Sequence, residues 1–249
     1  MEFLIGFLVA FSIGLTGVGA GIVTTPLLII TFDLEPAVAI GTALVFSAVI
    51  KVYTGLLYLT KGLYDRKILL LLTLGGAPGS ILGSYCTSFA SVNRDVIMVI
   101  LGLIVLLSSS MNLFFSARKI RLVKLEGKEL KTILPALSFF IGVEVGFSSV
   151  GAGVLVELLL LSVTDLSVPT VIGTSLIFGS LVAVLGGVIH IGLGNVQLTV
   201  LSGLLLGGVV GSFLAAKVIR YLPQHILRHA LFYILMFFGG TLIHRGMQR

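Results

Sequence analysis

About eight apolar stretches, each longer than about 18 residues, occupy nearly all of this 249-residue chain. A stretch of that length crosses a hydrocarbon core of roughly 30 Å as an α-helix. The stretches are apolar on every face, unlike the alternating strands of a membrane β-barrel, and only 10% of the residues are charged, which excludes a soluble domain. The sequence therefore predicts an all-α polytopic protein of the cell (inner or plasma) membrane, embedded in the lipid bilayer.

A basic connection over residues 118–132 divides the apolar stretches into two groups. The other lysines and arginines also lie mainly in short loops, where they orient membrane helices, so we expect no nucleic-acid partner. We predict a first transmembrane repeat over 1–117, a basic cytoplasmic linker over 118–132 and a second repeat over 133–249. The apolar stretches cover residues 3–32, 37–60, 68–89, 96–115, 133–163, 168–193, 196–219 and 226–243.

The two groups are related in sequence, because a shift of 132 positions aligns them without a gap. The shift places glycines in register: Gly14 on Gly146, Gly19 on Gly151, Gly75 on Gly207 and Gly79 on Gly211. Leucines would align by chance in so apolar a chain, but this many glycines would not. We therefore predict a duplicated four-segment unit.

The first segment of each half is unusually long and contains a glycine cluster, at residues 14–21 and 146–153. About 30 residues in one straight helix would measure roughly 45 Å, well beyond the hydrocarbon thickness. We predict that both segments are broken or hairpin-like. Single crossings and hairpins both leave the basic linker in the cytoplasm. We favour hairpins, because of the segment lengths; they would make the repeats inverted and place both ends of the chain opposite the linker.

Hydroxyl side chains flank both glycine clusters. Backbone N–H groups at a helix start, beside hydroxyl donors, form a site for a small anion, although glycines also serve close helix packing. Three more hydroxyls follow the turns near Pro36 and Pro169; they either add donors to this site or bond back to their own helices. The candidate binding residues are Thr16, Gly17, Gly19, Gly21, Thr24, Thr25, Ser148, Ser149, Gly151 and Gly153, with Thr42, Thr174 and Ser175 after the turns.

Lys51 lies in the middle of an apolar segment, where a charge is costly and indicates function. Ser47, Thr54 and Tyr58 share its helix face, and we include Ser47 and Lys51 in the substrate site. Glu144 and Glu157 bracket the second glycine cluster; they are either proton-coupling residues or inert ion-pair partners of Lys51.

Two further residues are interpreted as structural rather than functional. We expect His190, near the end of its helix, at the membrane interface, and Cys86 packed between helices as a small side chain. One cysteine allows no intrachain disulfide, and no metal-binding, phosphate-loop or nucleophile motif is present, so we expect no metal, no cofactor and no enzyme.

The chain resembles the TauE/SafE sulfite exporter family, also called 4-toluene sulfonate uptake permeases. The resemblance covers nearly the whole sequence and rests on the duplicated unit and on the glycine run ending at Gly21, followed by Pro26, the turn with Pro36, and Gly41-Thr42. Two departures from the family pattern are Ala20, which interrupts the glycine run, and Ala43, which stands where the second half has Ser175.

The resemblance implies a secondary transporter, an exporter, of small sulfur-containing anions such as sulfite, sulfonates or sulfoacetate. Protons or the membrane potential would drive it, since an inside-negative potential already favours anion efflux. The residues leave two alternatives open: a divalent-cation carrier that uses Glu144 and Glu157, or a membrane enzyme or complex subunit without transport of its own.

Overall fold

The computed structural model describes residues 1–16, 20–90, 93–117, 124–151, 153–218 and 224–248. This part of the chain forms ten α-helices joined by short connections, and it contains no strand. The helices are α1 Glu2–Thr16, α2 Ala20–Phe32, α3 Pro36–Thr60, α4 Arg66–Ala90, α5 Arg94–Ala117, α6 Gly127–Ser148, α7 Val154–Val163, α8 Val168–Gly192, α9 Leu198–Val218 and α10 Gln224–Met247.

Five of the described helices, α4, α5, α6, α8 and α9, are long and apolar enough to cross a membrane, and shorter apolar helices accompany them. The predicted all-α multi-pass fold is therefore confirmed. The first and fifth apolar segments each form two helices, so that ten helices stand where eight segments were expected. Helix α6 also begins at Gly127, inside the predicted linker, because Leu130 and Leu134 are buried and extend its apolar face.

Helices α4 and α6 are in close contact along a line of small residues. A Cβ at any of three α4 glycines would collide with a main-chain oxygen of α6: Gly75 with Pro135, Gly79 with Phe139 and Gly83 with Val143. Small residues every fourth position let the two backbones approach, as they do in many membrane helix pairs. The contact positions rise together along both helices, so α4 and α6 run parallel.

Helices α1 and α9 pack in the same way. Gly207 lies against the main-chain oxygen of Phe3, and Gly211 lies against that of Phe7. Each of these contacts lies 132 positions from a contact between α4 and α6, and the direction is again parallel. The stripe of small residues is therefore present at the corresponding place of each half.

Helices α3 and α8 cross at the centre in opposite directions. Gly55 lies beside Ile177 and Gly187 beside Val45, so residue numbers decrease along α3 where they increase along α8. At one end Thr42 Oγ1 accepts a hydrogen bond from the Gln197 N–H, and at the other Thr174 Oγ1 accepts one from Asp65, both at 3.0 Å. The two contacts are equivalent, because Thr42 and Thr174 are 132 positions apart, as are Asp65 and Gln197.

The fifth segment doubles back on itself. The Leu125 N–H, just before α6, donates to the Val163 carbonyl at the end of α7, with an N–O distance of 3.0 Å. Lys124 Nζ lies 2.6 Å from Asp165 Oδ2, two residues after Val163. The end of α7 therefore returns to the start of α6, and the segment forms a hairpin.

Candidate functional site

The break between α6 and α7 depends on two residues with positive φ. Ser149 has a φ of 63° and Gly151 a φ of 86°. The Ser148 hydroxyl supports this turn, because it accepts a hydrogen bond from the Val150 N–H at 3.1 Å. A Cβ at Gly151 would also collide with Glu144 Oε2. Glycine is therefore required at position 151 for both its conformation and its size.

The two glycine-rich segments meet at this break. The Thr25 hydroxyl, in α2, is hydrogen-bonded to the Ser149 hydroxyl, and Ser149 Oγ also lies 3.4 Å from the Gly21 carbonyl oxygen. A Cβ on Gly21 would collide with the Ser149 carbonyl oxygen. All three residues are buried. The start of α2, from the first half, thus rests directly on the break of the second half.

Three charged side chains lie inside the described helices near this junction. Lys51 in α3 is 4% exposed and Glu157 in α7 is 8% exposed. Lys51 is close enough to both Glu144 and Glu157 to interact electrostatically with each. Ser175 Oγ lies 3.2 Å from Glu157 Oε1, and Ser148 Oγ lies 2.9 Å from Glu144 Oε1. A lysine and two carboxylates therefore form one buried cluster.

Three buried polar atoms of this region have no hydrogen-bond partner among the described residues: Ser47 Oγ, Glu144 Oε2 and His190 Nδ1. Ser47 lies one turn before Lys51 in α3, and Glu144 Oε2 lies against Gly151. A buried polar atom without a partner costs free energy, so such atoms often mark places where a ligand, water or proton binds.

Several predicted site residues lie elsewhere or outside the described part. Gly17 and Gly19 lie outside the described residues, as does the side chain of Thr16. Thr24 is fully buried in α2. The Gly153 carbonyl accepts the Glu157 N–H and so begins α7. Thr42 and Thr174 accept hydrogen bonds from the Gln197 and Asp65 N–H groups of the opposite half, and the Thr174 hydroxyl also bonds back to the Thr170 carbonyl of its own helix.

Two side chains differ from expectation. His190 is fully buried in α8, with Nε2 3.3 Å from the Gly146 carbonyl oxygen, instead of lying at the interface. The sequence signal was available, since His190 follows Gly186 and Gly187 by one turn on the packed face of α8. Cys86 is exposed on α4 rather than packed between helices, because the close contacts of that helix are made by its glycine stripe.

Two surface cavities lie at opposite ends of the molecule. The linker-side cavity, about 290 Å³, is lined by Asp65, Lys67, Lys124 and Asp165. Hydrogen bonds that the Lys124 ammonium donates to Asp165 and Glu126 hold the pKa of Lys124 above its usual value. The second cavity, about 320 Å³, lies at the end where α5 begins and α10 finishes; it is lined by Asp33, Arg94, Arg245 and Gln248. Arg94 pairs there with Asp33 and Glu35.

A multi-pass helical protein with interrupted helices and a buried charge cluster belongs to the class of membrane transport proteins. The chain matches the family model described as "Sulfite exporter TauE/SafE" over residues 2–242, and it belongs to this family of membrane transporters, which are not enzymes.

Named relatives agree with this assignment. The chain is 28% identical to "Probable membrane transporter protein YjnA" of Bacillus subtilis (strain 168), over 89% of this chain and 91% of the relative. It is 26% identical to "Probable membrane transporter protein YdhB" of the same organism, over 92% and 94% respectively. No solved structure shows significant similarity to the chain. The protein is thus a multi-pass membrane transporter.

Proposed function

We propose that this protein exports a small sulfur-containing anion, such as sulfite, a sulfonate or sulfoacetate, across the cell membrane by alternating access. The observation that carries the proposal is the contact of Thr25 and Gly21 with Ser149, which joins the two interrupted segments beside the cluster of Lys51, Glu144 and Glu157. The family's description names sulfite, which agrees with an anionic substrate.

The chemistry of the junction suits an oxyanion. Lys51 supplies a positive charge that water does not screen. The hydroxyls of Thr25, Ser148 and Ser149 are hydrogen-bonded within the junction, and they donate to an anion when they exchange those partners for it. Helices α2 and α7 both begin at the junction, so their N-terminal N–H groups and positive dipole ends add to the field there. Ser47 Oγ, which has no partner in the described part, offers one more donor.

The helix directions support inverted repeats. Helices α1 and α9 run parallel, as do α4 and α6, while α3 and α8 run antiparallel. Since successive membrane helices alternate in direction, a hairpin in each first segment gives each half an odd number of crossings and opposite orientations. Alternating access then follows when one half moves against the other and opens the junction toward either surface cavity in turn.

The first experiment measures flux of labelled sulfite, thiosulfate, sulfate and methanesulfonate in proteoliposomes that contain the purified protein. We expect saturable flux of at least one of these anions and none in liposomes without protein. A parallel set with Mn²⁺ and Ca²⁺ tests the divalent-cation alternative that Glu144 and Glu157 allow. Folded protein that moves no anion contradicts the proposal, and flux of a divalent cation alone replaces it.

The inverted arrangement makes a separate prediction about sidedness. A reporter fused after residue 249 and one inserted into the linker at position 122 should lie on opposite faces of the membrane, with the linker in the cytoplasm. Reporter activity on the two faces of intact cells measures this directly. Both reporters on the cytoplasmic face would mean that the repeats are parallel.

A further inference from the structure

The buried cluster contains more negative than positive charge. At the junction of the two interrupted segments, the charged side chains of the described helices are Lys51, Glu144 and Glu157. A small anion that binds beside Lys51 would bring a third negative charge to a single buried ammonium. Such an excess of buried charge is strongly unfavourable unless a proton or a cation neutralises it. The charge count therefore requires that a proton or a cation bind together with the anion, in addition to Lys51.

The structure distinguishes the two carboxylates. Both interact electrostatically with Lys51, and Glu157 Oε1 lies 3.2 Å from Ser175 Oγ. Glu144 Oε1 is paired with Ser148, but Glu144 Oε2 is buried against Gly151 and has no partner among the described residues. A carboxylate oxygen that is buried without a donor is costly while it is charged, and binding of a proton removes that charge.

Resting on the proposed function, we infer that the anion and one proton bind together, with Lys51 as the counter-charge of the anion and Glu144 as the proton acceptor. The anion replaces the Glu144 carboxylate as the partner of Lys51. A proton from water then bonds to the released Glu144 carboxylate and neutralises it. The net charge of the cluster is then the same before and after binding. For a monovalent anion the transported unit is electrically neutral, so the membrane potential does not drive it and export follows the concentration gradients of the anion and the proton.

The other titratable side chains near the cluster are less directly placed to accept this proton. On the helices packed against α6, Tyr58 of α3 interacts with Glu157. His190 of α8 donates Nε2–H to the Gly146 carbonyl and leaves Nδ1 without a partner among the described residues, but Lys51 interacts electrostatically with Glu144 rather than with His190. Tyr85 and Cys86 of α4 are exposed. The side chain of Tyr53, also in α3, lies outside the described part.

The test uses methanesulfonate, a monovalent anion whose charge does not change between about pH 5 and about pH 8. At a pH at which Glu144 is ionised in the free protein, purified protein in weakly buffered detergent solution, with a pH-indicator dye, should take up about one proton for each anion bound. Affinity should fall up to about tenfold for each pH unit once Glu144 is ionised. In proteoliposomes a pH gradient should drive flux, and a clamped membrane potential should not.

Glu144→Gln should bind methanesulfonate with little dependence on pH and without proton uptake, because the side chain is already neutral. Glu129→Gln, on the exposed first turn of the same helix, is the matched control and should behave as the unmodified protein does.

Methanesulfonate binding without proton uptake overturns this inference and leaves the proposed function intact. No methanesulfonate binding at any pH removes sulfonates from the proposed function, and the inference fails with it. If Glu144→Gln does not fold, proton uptake and the potential dependence of flux in the unmodified protein decide the question alone.

Discussion

Replacing Lys51 with methionine should weaken anion binding by at least about a hundredfold. Truncating one member of a buried charge pair costs about 2–5 kcal/mol, and each 1.4 kcal/mol is about a tenfold change in affinity. In this cluster the loss is at the high end, because the two carboxylates would then repel the anion without any compensating charge. The measurement is a binding titration with whichever anion the flux assay identifies, made at one fixed pH.

Two further variants separate a binding defect from a folding defect. Lys51→Met combined with Glu157→Gln restores part of the charge balance, so this protein should fold more readily and still bind the anion poorly. Lys61→Met removes the same type of side chain from an exposed position just after α3 and should leave affinity unchanged. If the double variant folds and binds the anion as tightly as the unmodified protein, Lys51 is not part of the site.

Much of the fold could be predicted because a bilayer restricts what an apolar segment can do. Length and hydropathy identify the spans, and the excessive length of the first and fifth segments indicates their interruption. The start of α6 at Gly127 could not be predicted from hydropathy, since polar Lys128 and Lys131 hide the pattern of Leu130 and Leu134 that packs on the protein.

Helix pairing is partly visible in the sequence as well. Gly75, Gly79 and Gly83 form a stripe at intervals of four, which indicates a close helix contact on that face of α4. The stripe does not identify its partner. That α4 pairs with α6, and α9 with α1, depends on how the halves come together in space, and a local pattern carries no such information.

Some of the candidate site residues could be predicted from the sequence, and others could not. Lys51, Glu144 and Glu157 could be selected from the sequence, because charges inside apolar segments are few and costly. Thr42 and Thr174 could not be assigned, since a hydroxyl takes whichever partner is near, and here each meets a backbone N–H of the other half, more than 100 residues away in the chain. The burial of His190, in contrast, could be predicted, because Gly186 and Gly187 mark the packed face of α8 one turn earlier.

Replacing Gly21 and Gly151 together with alanine should reduce anion flux by about ten- to a hundredfold. Alanine at position 151 must adopt a positive φ, which costs about 1–2 kcal/mol, and its methyl group would displace Glu144 Oε2. Alanine at position 21 would push the Ser149 carbonyl away and separate the hydroxyls of Thr25 and Ser149. A total cost of about 1–3 kcal/mol corresponds to this loss.

Flux through the double variant should be compared with that through Gly192→Ala. A Cβ at Gly192 meets no atom within 4 Å, so this substitution tests the effect of an added methyl group alone and should retain full flux. Thermal unfolding of both proteins in detergent shows whether the loss arises at the junction or from global instability. A stable double variant with unchanged flux would mean that the contact between the two breaks is a packing feature, and the transport site would have to lie around Lys51 without them.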